Sequence, residues 1–218
     1  FVVPQFAEIF NSFGKKLPLP TQILINVSQF LHQWWSWFAI LGTGIGIYFA
    51  VKLYGKTPVG RYNLDALRLR MPVFGVLQRK VAISRFTRTL STLTKSGVAI
   101  LQAMEIVERT AGNEVYAKAI RAAGESVRNG ETLAEPLARA GVFPAMVTRM
   151  IGVGEKTGAL ENMLMKIADF YDSEVKATVD ALTSLIEPIL IGMMGIVVDG
   201  IVIALFMPIL MLSTLVGQ

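Results

Sequence analysis

Residues 50–57 have the spacing of a phosphate-binding loop, because they fit the loose pattern A/G-x-x-x-x-G-K-S/T. Such a loop needs a strand before it and a glycine-rich turn whose free amides bind phosphate. The residues before Gly55 instead complete an apolar helical segment, in which the backbone amides are already hydrogen-bonded. We therefore predict no nucleotide site here. Lys52 and Lys56 are better interpreted as anchors at the cytoplasmic end of a membrane helix.

The remaining glycine-rich and titratable residues do not form a reactive set either. Residues 152–158 look like a ligand loop but lack the preceding strand, and Gly158 is better explained as a helix C-cap. His32 is the single histidine, and it has no nucleophile or metal-ligand spacing beside it. The sequence has no cysteine, which excludes a thiolate site. We therefore predict no catalytic residue, no cofactor and no metal.

Two long apolar stretches bracket almost all of the positive charge. Residues 34–51 and 185–212 are nearly free of charged side chains, and 19 of the 21 Lys and Arg lie between Lys52 and Lys176. A stretch of about 20 apolar residues can cross a bilayer, and loops rich in Lys and Arg stay on the cytoplasmic side. The pattern predicts a multi-pass membrane protein whose basic domain is cytoplasmic. Its modest basic surplus favours contact with membrane lipid or an acidic partner, and no nucleic acid is expected.

These patterns divide the sequence into five predicted parts. The first three residues have the composition of the end of a preceding apolar span, so we expect the chain to be a fragment. The predicted parts are a periplasmic segment with short helices at 1–33, a transmembrane helix at 34–54, a cytoplasmic helical-bundle domain at 55–184, a transmembrane helix at 185–212 and a periplasmic tail at 213–218.

Gly and Pro divide the cytoplasmic part into helices, and strand-like alternation does not occur. Asn113 is a candidate N-cap, and Thr132 with Glu135 has the spacing of a capping box that opens a helix. The predicted fold class is all-α: a polytopic membrane protein with a six-helix cytoplasmic bundle between two transmembrane helices. Predicted helices cover 61–70, 76–95, 99–110 and 114–129, and the pattern stays helical from 159 to the end.

Two acidic residues interrupt the second apolar stretch. Charge inside a bilayer costs roughly 2.5–3.5 kcal/mol on insertion scales, so Glu187 and Asp199 are candidate intramembrane polar contacts, either with another helix or along a proton path. Gly42, Gly46 and Gly200 are candidate positions of close helix packing, although glycine is also simply tolerated in membrane helices.

Many separate motif elements occur in the order of one known family. The sequence resembles the type II secretion system F family, the inner-membrane platform proteins of type IV pili and type II secretion. The resemblance covers nearly the whole chain and fits the C-terminal half of such proteins. It is carried by residues 85–90, 96–98, Asn113, Gly130, 143–144, 150–155, Gly158, Leu160, Ala168, Tyr171, 187–188 and Pro208, and by 3–10 and 17–21 in the outer segment. Asp199 departs from it, because a small or apolar residue is expected there.

The resemblance implies a non-enzymatic platform in the bacterial inner membrane. It would couple a cytosolic hexameric ATPase to the polymerisation of pilins or pseudopilins, beneath inner-membrane alignment proteins and as a homodimer or higher oligomer. Arg85, Arg88, Gly154 and Glu155 are candidate ATPase-facing residues on charge and expected exposure. A pilus platform and a secretion platform both fit the sequence, and a transporter half driven by a separate ATPase is a more distant alternative.

Overall fold

The computed structural model describes residues 22, 23, 26, 30 and 33–216. Between residues 33 and 216 it contains eight helices and no strand, which confirms the predicted all-α class. The predictions for residues 1–33, including His32, and for the last two residues of the chain concern residues that lie almost wholly outside the described part. The helices are α1 (Trp34–Tyr54), α2 (Pro58–Arg70), α3 (Phe74–Lys95), α4 (Ile100–Thr110), α5 (Glu114–Arg128), α6 (Ala134–Arg139), α7 (Ala145–Thr157) and α8 (Leu160–Val216).

Residues adjacent in sequence set several of the helix ends. The Thr57 hydroxyl accepts a hydrogen bond from the Gly60 amide at 3.1 Å, and proline occupies the first turn of α2. The Asn113 side chain caps α5 by accepting from the Val115 amide at 3.0 Å, as predicted. Gly158 ends α7 with a φ of +69°, which confirms the predicted C-cap.

The predicted capping box at Thr132 and Glu135 is wrong. Helix α6 starts at Ala134, its N-cap is Leu133, and that residue makes no side-chain cap hydrogen bond. The carboxylate of Glu155 on α7 instead accepts from the Leu133 amide at 2.5 Å and the Ala134 amide at 3.0 Å. A tertiary contact therefore supplies the acceptor that the sequence pattern assigned to a neighbour along the chain.

The unit Val51–Leu182 contains α2 to α7 and the start of α8 around one apolar core. The Phe143 ring centroid lies 5.0 Å from that of Phe86 and 5.3 Å from that of Tyr116. Such aromatic pairs tie distant segments of the chain together, because each ring buries a large apolar area.

The other unit comprises Phe1–Ala50 and Thr183–Gln218, of which α1 and the later part of α8 are described. Most of the apolar side chains described in this unit are exposed, and Ile196 is 77% exposed. Among the described residues, one helix is long and apolar enough to cross a membrane, within Leu160–Ala204, and Leu41–Tyr54 is a shorter apolar stretch. Exposed apolar surface of this extent needs lipid or protein to cover it.

Candidate functional site

A row of polar side chains joins α3 to the beginning of α8. On α3 these are Lys80, Ser84, Arg88 and Ser91, spaced four, four and three residues apart. This spacing places them on one helical face. Their partners on α8 are Glu161, Met165, Asp169, Asp172, Glu174 and Thr178. We call this row of contacts the polar seam.

Lys80 and Ser84 form the end of the polar seam that lies furthest along α8. The Lys80 ammonium donates to Glu174 Oε2 at 2.7 Å and to Thr178 Oγ1 at 2.9 Å. The Ser84 hydroxyl donates to the Asp172 carboxylate. Lys80 is only 24% exposed, so its ion pair is shielded from solvent more than most surface pairs are.

Arg88 bridges two carboxylates of α8. Its Nη2 atom lies 2.7 Å from Asp169 Oδ1 and 2.5 Å from Asp172 Oδ2, and Nη1 donates to Met165 Sδ at 3.2 Å. Hydrogen bonding to Asp172, and then to Asp169, raises the pKa of Arg88. The guanidinium is therefore held as a cation between helices and is 39% exposed.

Apolar packing lies beside the polar seam. Ile83, Phe86 and Leu90 on α3 are fully or almost fully buried, and so are Leu164 and Ile167 on α8. Buried apolar contacts supply most of the adhesion between helices, while the ion pairs fix the register because each donor meets a specific acceptor. The first turns of α8 are thus held to the bundle by both kinds of contact.

The corner between α7 and α8 is tight and depends on Gly154. A Cβ atom at Gly154 would lie 2.9 Å from the Leu160 Cα, so the two helices approach too closely for a side chain. Gly154 is buried, and the half-buried Glu155 caps α6. Gly154 and Glu155, two of the four candidate ATPase-facing residues, therefore have roles inside the bundle. Their contact with the ATPase stays a prediction.

The two candidate arginines differ in their surroundings. Arg88 belongs to the polar seam, whereas Arg85 is exposed and has no ion pair within the described part of the chain. Arg85 lines a cleft of about 380 Å³ together with Arg68, Gly112 and Asn113. Arg85 is therefore the candidate with a cation available to an outside partner.

Sequence reasoning missed Asp65, which connects α2 to α5. Its side chain is buried, with Oδ2 accepting from the Glu114 amide at 2.9 Å and Oδ1 from Arg68 Nη1 at 2.9 Å. A carboxylate at a helix N-terminus is favoured by the helix dipole as well as by the hydrogen bond. A signal was present, because Asp65 is the one acidic residue between Lys52 and Lys95.

The intramembrane candidates are exposed among the described residues. A Cβ atom at Gly42, Gly46 or Gly200 would have no atom within 4 Å, so their role in helix packing stays a prediction. Glu187 and Asp199 are exposed, and neither has a side-chain partner within the described residues. Any partner of these five residues would have to come from outside the described part of the chain.

The phosphate-loop pattern does not form a phosphate site in the described structure. Its first five residues are the last five of α1, and the Thr57 hydroxyl donates to the Tyr54 carbonyl at 2.7 Å while it caps α2. Among the described residues, no group of three or more His, Cys, Asp and Glu side chains could hold a metal ion.

The described residues form a helical bundle and include one helix that is long and apolar enough to cross a membrane, a combination typical of helical membrane proteins. The chain belongs to the family described as "Type II secretion system (T2SS), protein F", whose model matches residues 86–208. This family consists of inner-membrane proteins.

Curated relatives match almost the whole chain. It is 44% identical over 212 residues to a type IV pilus assembly protein PilC of Myxococcus xanthus, covering 97% of this chain and 50% of the relative. It is 45% identical over 208 residues to a PilC of Thermus thermophilus, covering 95% and 51%. A type II secretion system protein F of Pseudomonas aeruginosa is 34% identical over 219 residues, covering 100% and 53%. The chain spans about half the length of the curated relatives it matches.

Proposed function

We propose that this chain is the C-terminal half of an inner-membrane platform protein for type IV pilus biogenesis. The platform would couple a cytosolic hexameric assembly ATPase to the polymerisation of pilins, without catalysis of its own. The observation that carries this proposal is the identity of 44–45% to two type IV pilus assembly proteins over at least 95% of the chain. A type II secretion platform is the second candidate, supported by relatives of 33–35% identity that are named type II secretion system protein F.

The proposed topology has the bundle on the cytoplasmic side. Residues 34–54 and 185–212 would cross the membrane, 55–184 would form the cytoplasmic domain, and 1–33 and 213–218 would be periplasmic. The support is the concentration of 19 of the 21 Lys and Arg between Lys52 and Lys176, since such residues are retained on the cytoplasmic side.

The proposed coupling element is α8 with the polar seam. The helix is assigned over 57 residues, so the seam contacts and the apolar stretch lie on one helix. From Leu160 to Glu187 the helix contains no proline, so each turn is hydrogen-bonded to the next and this part resists bending; Pro188 and Pro208, which lack an amide donor, come after it. A rotation or tilt imposed on the bundle would therefore be passed along this part of α8 without a flexible joint.

The proposed partners follow from the remaining exposed features. The Arg85 side chain would face the ATPase, and Glu187 and Asp199 would make polar contacts with pilin or platform helices in the membrane. Gly42, Gly46 and Gly200 would allow close approach of such helices. Alignment proteins and a second copy of the platform complete the proposed assembly.

Deleting the gene and examining both surface pili and exported enzymes tests the assignment. Lost pili with normal export would support the pilus platform, whereas retained pili with enzymes trapped in the periplasm would assign it to secretion.

A flexible glycine linker inserted near Thr178 should abolish fibre assembly while ATPase binding is preserved. Normal fibres in that variant would disprove coupling through α8.

A further inference from the structure

Exposed apolar side chains are concentrated on α2, on the turn that follows it and on the first turn of α3. We call this group the apolar corner; its members are between 46% and 69% exposed. From residue 77 to 182, by contrast, five large apolar side chains are exposed, and they are scattered singly among the described residues. Contiguous exposed apolar surface usually marks an interaction site, whereas isolated apolar residues need no explanation. The apolar corner consists of Val59, Leu67, Met71, Val73, Phe74 and Val76.

The backbone of the turn holds two of these side chains outward at an energetic cost. Val73 has φ +70° and ψ −63°, and the Phe74 amide donates to the Pro72 carbonyl at 2.8 Å. This is a γ-turn, which is strained for a β-branched residue. Gly75 makes the turn possible, because a Cβ atom there would lie 2.4 Å from the Leu69 carbonyl oxygen. Strained backbone conformations of this kind cluster at functional sites.

Positive charge is concentrated in the same part of the chain. Residues 52–95 contain ten Lys and Arg and one Asp, whereas residues 96–182 contain nine Lys and Arg and twelve Asp and Glu. Lys56 and Arg70 are exposed and make no ion pair within the described residues. Arg70 lies on the same side of α2 as Val59 and Leu67, which are eleven and three residues before it. Basic and apolar side chains therefore share one exposed surface.

We propose that the apolar corner is a lipid-binding element that attaches the bundle to an anionic bilayer surface. Its apolar side chains would enter the headgroup region, while Lys56 and Arg70 would contact the phosphates of acidic phospholipids. Apolar burial combined with attraction of basic residues is the physical basis of interfacial membrane binding. A second copy of this surface is disfavoured as the occupant, because two such surfaces would face each other with like charge.

The inference rests on the membrane location in the proposed function, and the test keeps the two apart. The chain has no cysteine, so one introduced cysteine gives a unique labelling site. The full chain is reconstituted in vesicles with brominated acyl chains, made of phosphatidylcholine alone or with an equal part of phosphatidylglycerol. An environment-sensitive dye is attached at Phe74→Cys. Matched labels at Val153→Cys and Ile196→Cys report an exposed site on α7 and the apolar part of α8.

Binding of the apolar corner to lipid predicts a specific order of quenching. Bromine should quench the dye at position 74 several-fold more than at 153 in vesicles with phosphatidylglycerol, and less strongly in phosphatidylcholine alone. Adding Lys56→Gln with Arg70→Gln should reduce quenching at 74. Adding Arg149→Gln, a change at an exposed arginine of α7 without an ion pair in the described residues, should leave it unchanged.

Three results would overturn the proposal. If the dye at position 74 is unquenched by lipid and accessible to aqueous iodide while the dye at 196 is quenched, lipid binding is wrong and the membrane location stands. If the dye at 74 is shielded from both quenchers, a protein covers the apolar corner instead. If the dyes at 74 and 196 are both unquenched, the membrane location in the proposed function fails as well.

Discussion

Replacing Arg88 by Gln tests whether the polar seam holds α8 to the bundle. The change removes the cation shared by Asp169 and Asp172, which are 65% and 48% exposed. Partly exposed ion pairs contribute about 0.2–1 kcal/mol each. The two carboxylates, three residues apart on α8, would then repel each other by a few tenths of a kcal/mol. We therefore expect the free energy of unfolding to fall by about 1–2 kcal/mol.

Thermal unfolding of the purified chain in detergent, followed by circular dichroism, measures this effect. For a domain of this size the expected loss corresponds to a decrease in Tm of about 4–8 °C. The difference from wild type should shrink at 1 M salt, where the Debye length is about 3 Å. The expected loss of free energy and the expected decrease in Tm both refer to the cooperative unfolding transition of the bundle.

Arg85→Gln is the matched control, since Arg85 lies one turn earlier on α3 and has no ion pair within the described residues. Its expected effect is within about 0.5 kcal/mol, as for most surface substitutions. Equal losses from the two variants, or a loss at Arg88 that salt does not reduce, would refute the role given to the polar seam.

Three further changes probe other parts of the bundle. Glu155→Ala should lower the free energy of unfolding, measured by chemical denaturation, by about 1–3 kcal/mol, because two amides at the start of α6 lose their acceptor. Glu155→Gln should lower it less, because one side-chain oxygen remains as an acceptor. Burial raises the pKa of Tyr116 to about 12, so its neutral hydroxyl contributes stability that is present below about pH 10 and lost as the pH rises towards 12. Relative to Tyr116→Phe, the wild-type free energy of unfolding should therefore fall by roughly 2–3 kcal/mol over that range, and parallel pH profiles would contradict this. Gly60→Ala should lower Tm by several degrees, because its Cβ would lie 1.9 Å from the Tyr54 carbonyl oxygen. Gly124→Ala has its nearest contact at 3.7 Å and should not lower Tm, because alanine favours a helix over glycine by about 1 kcal/mol.

The helix bounds were accessible from sequence because local chemistry sets them. The start of α5 at the Asn113 cap and the end of α7 at Gly158 depend on residues adjacent to the helix ends. The start of α6 was assigned to the wrong residues because Glu155, more than twenty positions away, provides the acceptor. A spacing rule that considers only neighbours along the chain cannot include such a contact.

The candidate site was only partly accessible for a similar reason. Arg85 and Arg88 have the same charge and lie three residues apart on α3. Nothing in that segment of the sequence indicates which of the two is exposed and which belongs to the polar seam. The difference arises from α8, which places two carboxylates beside Arg88 and none beside Arg85. Asp65 is conspicuous in the sequence as the one acidic residue between Lys52 and Lys95, but its partner is the backbone amide of Glu114, which no sequence pattern indicates.

The sequence by itself determined the all-helical class, the limits of most helices and the concentration of basic residues between two apolar stretches. These properties follow from periodicity, capping and composition, which are local or additive along the chain. Only the tertiary structure decided which charges pair across the polar seam, which carboxylate caps α6 and which apolar side chains remain exposed in the apolar corner. Those outcomes depend on distances between residues far apart in sequence, and they are fixed only when the helices pack.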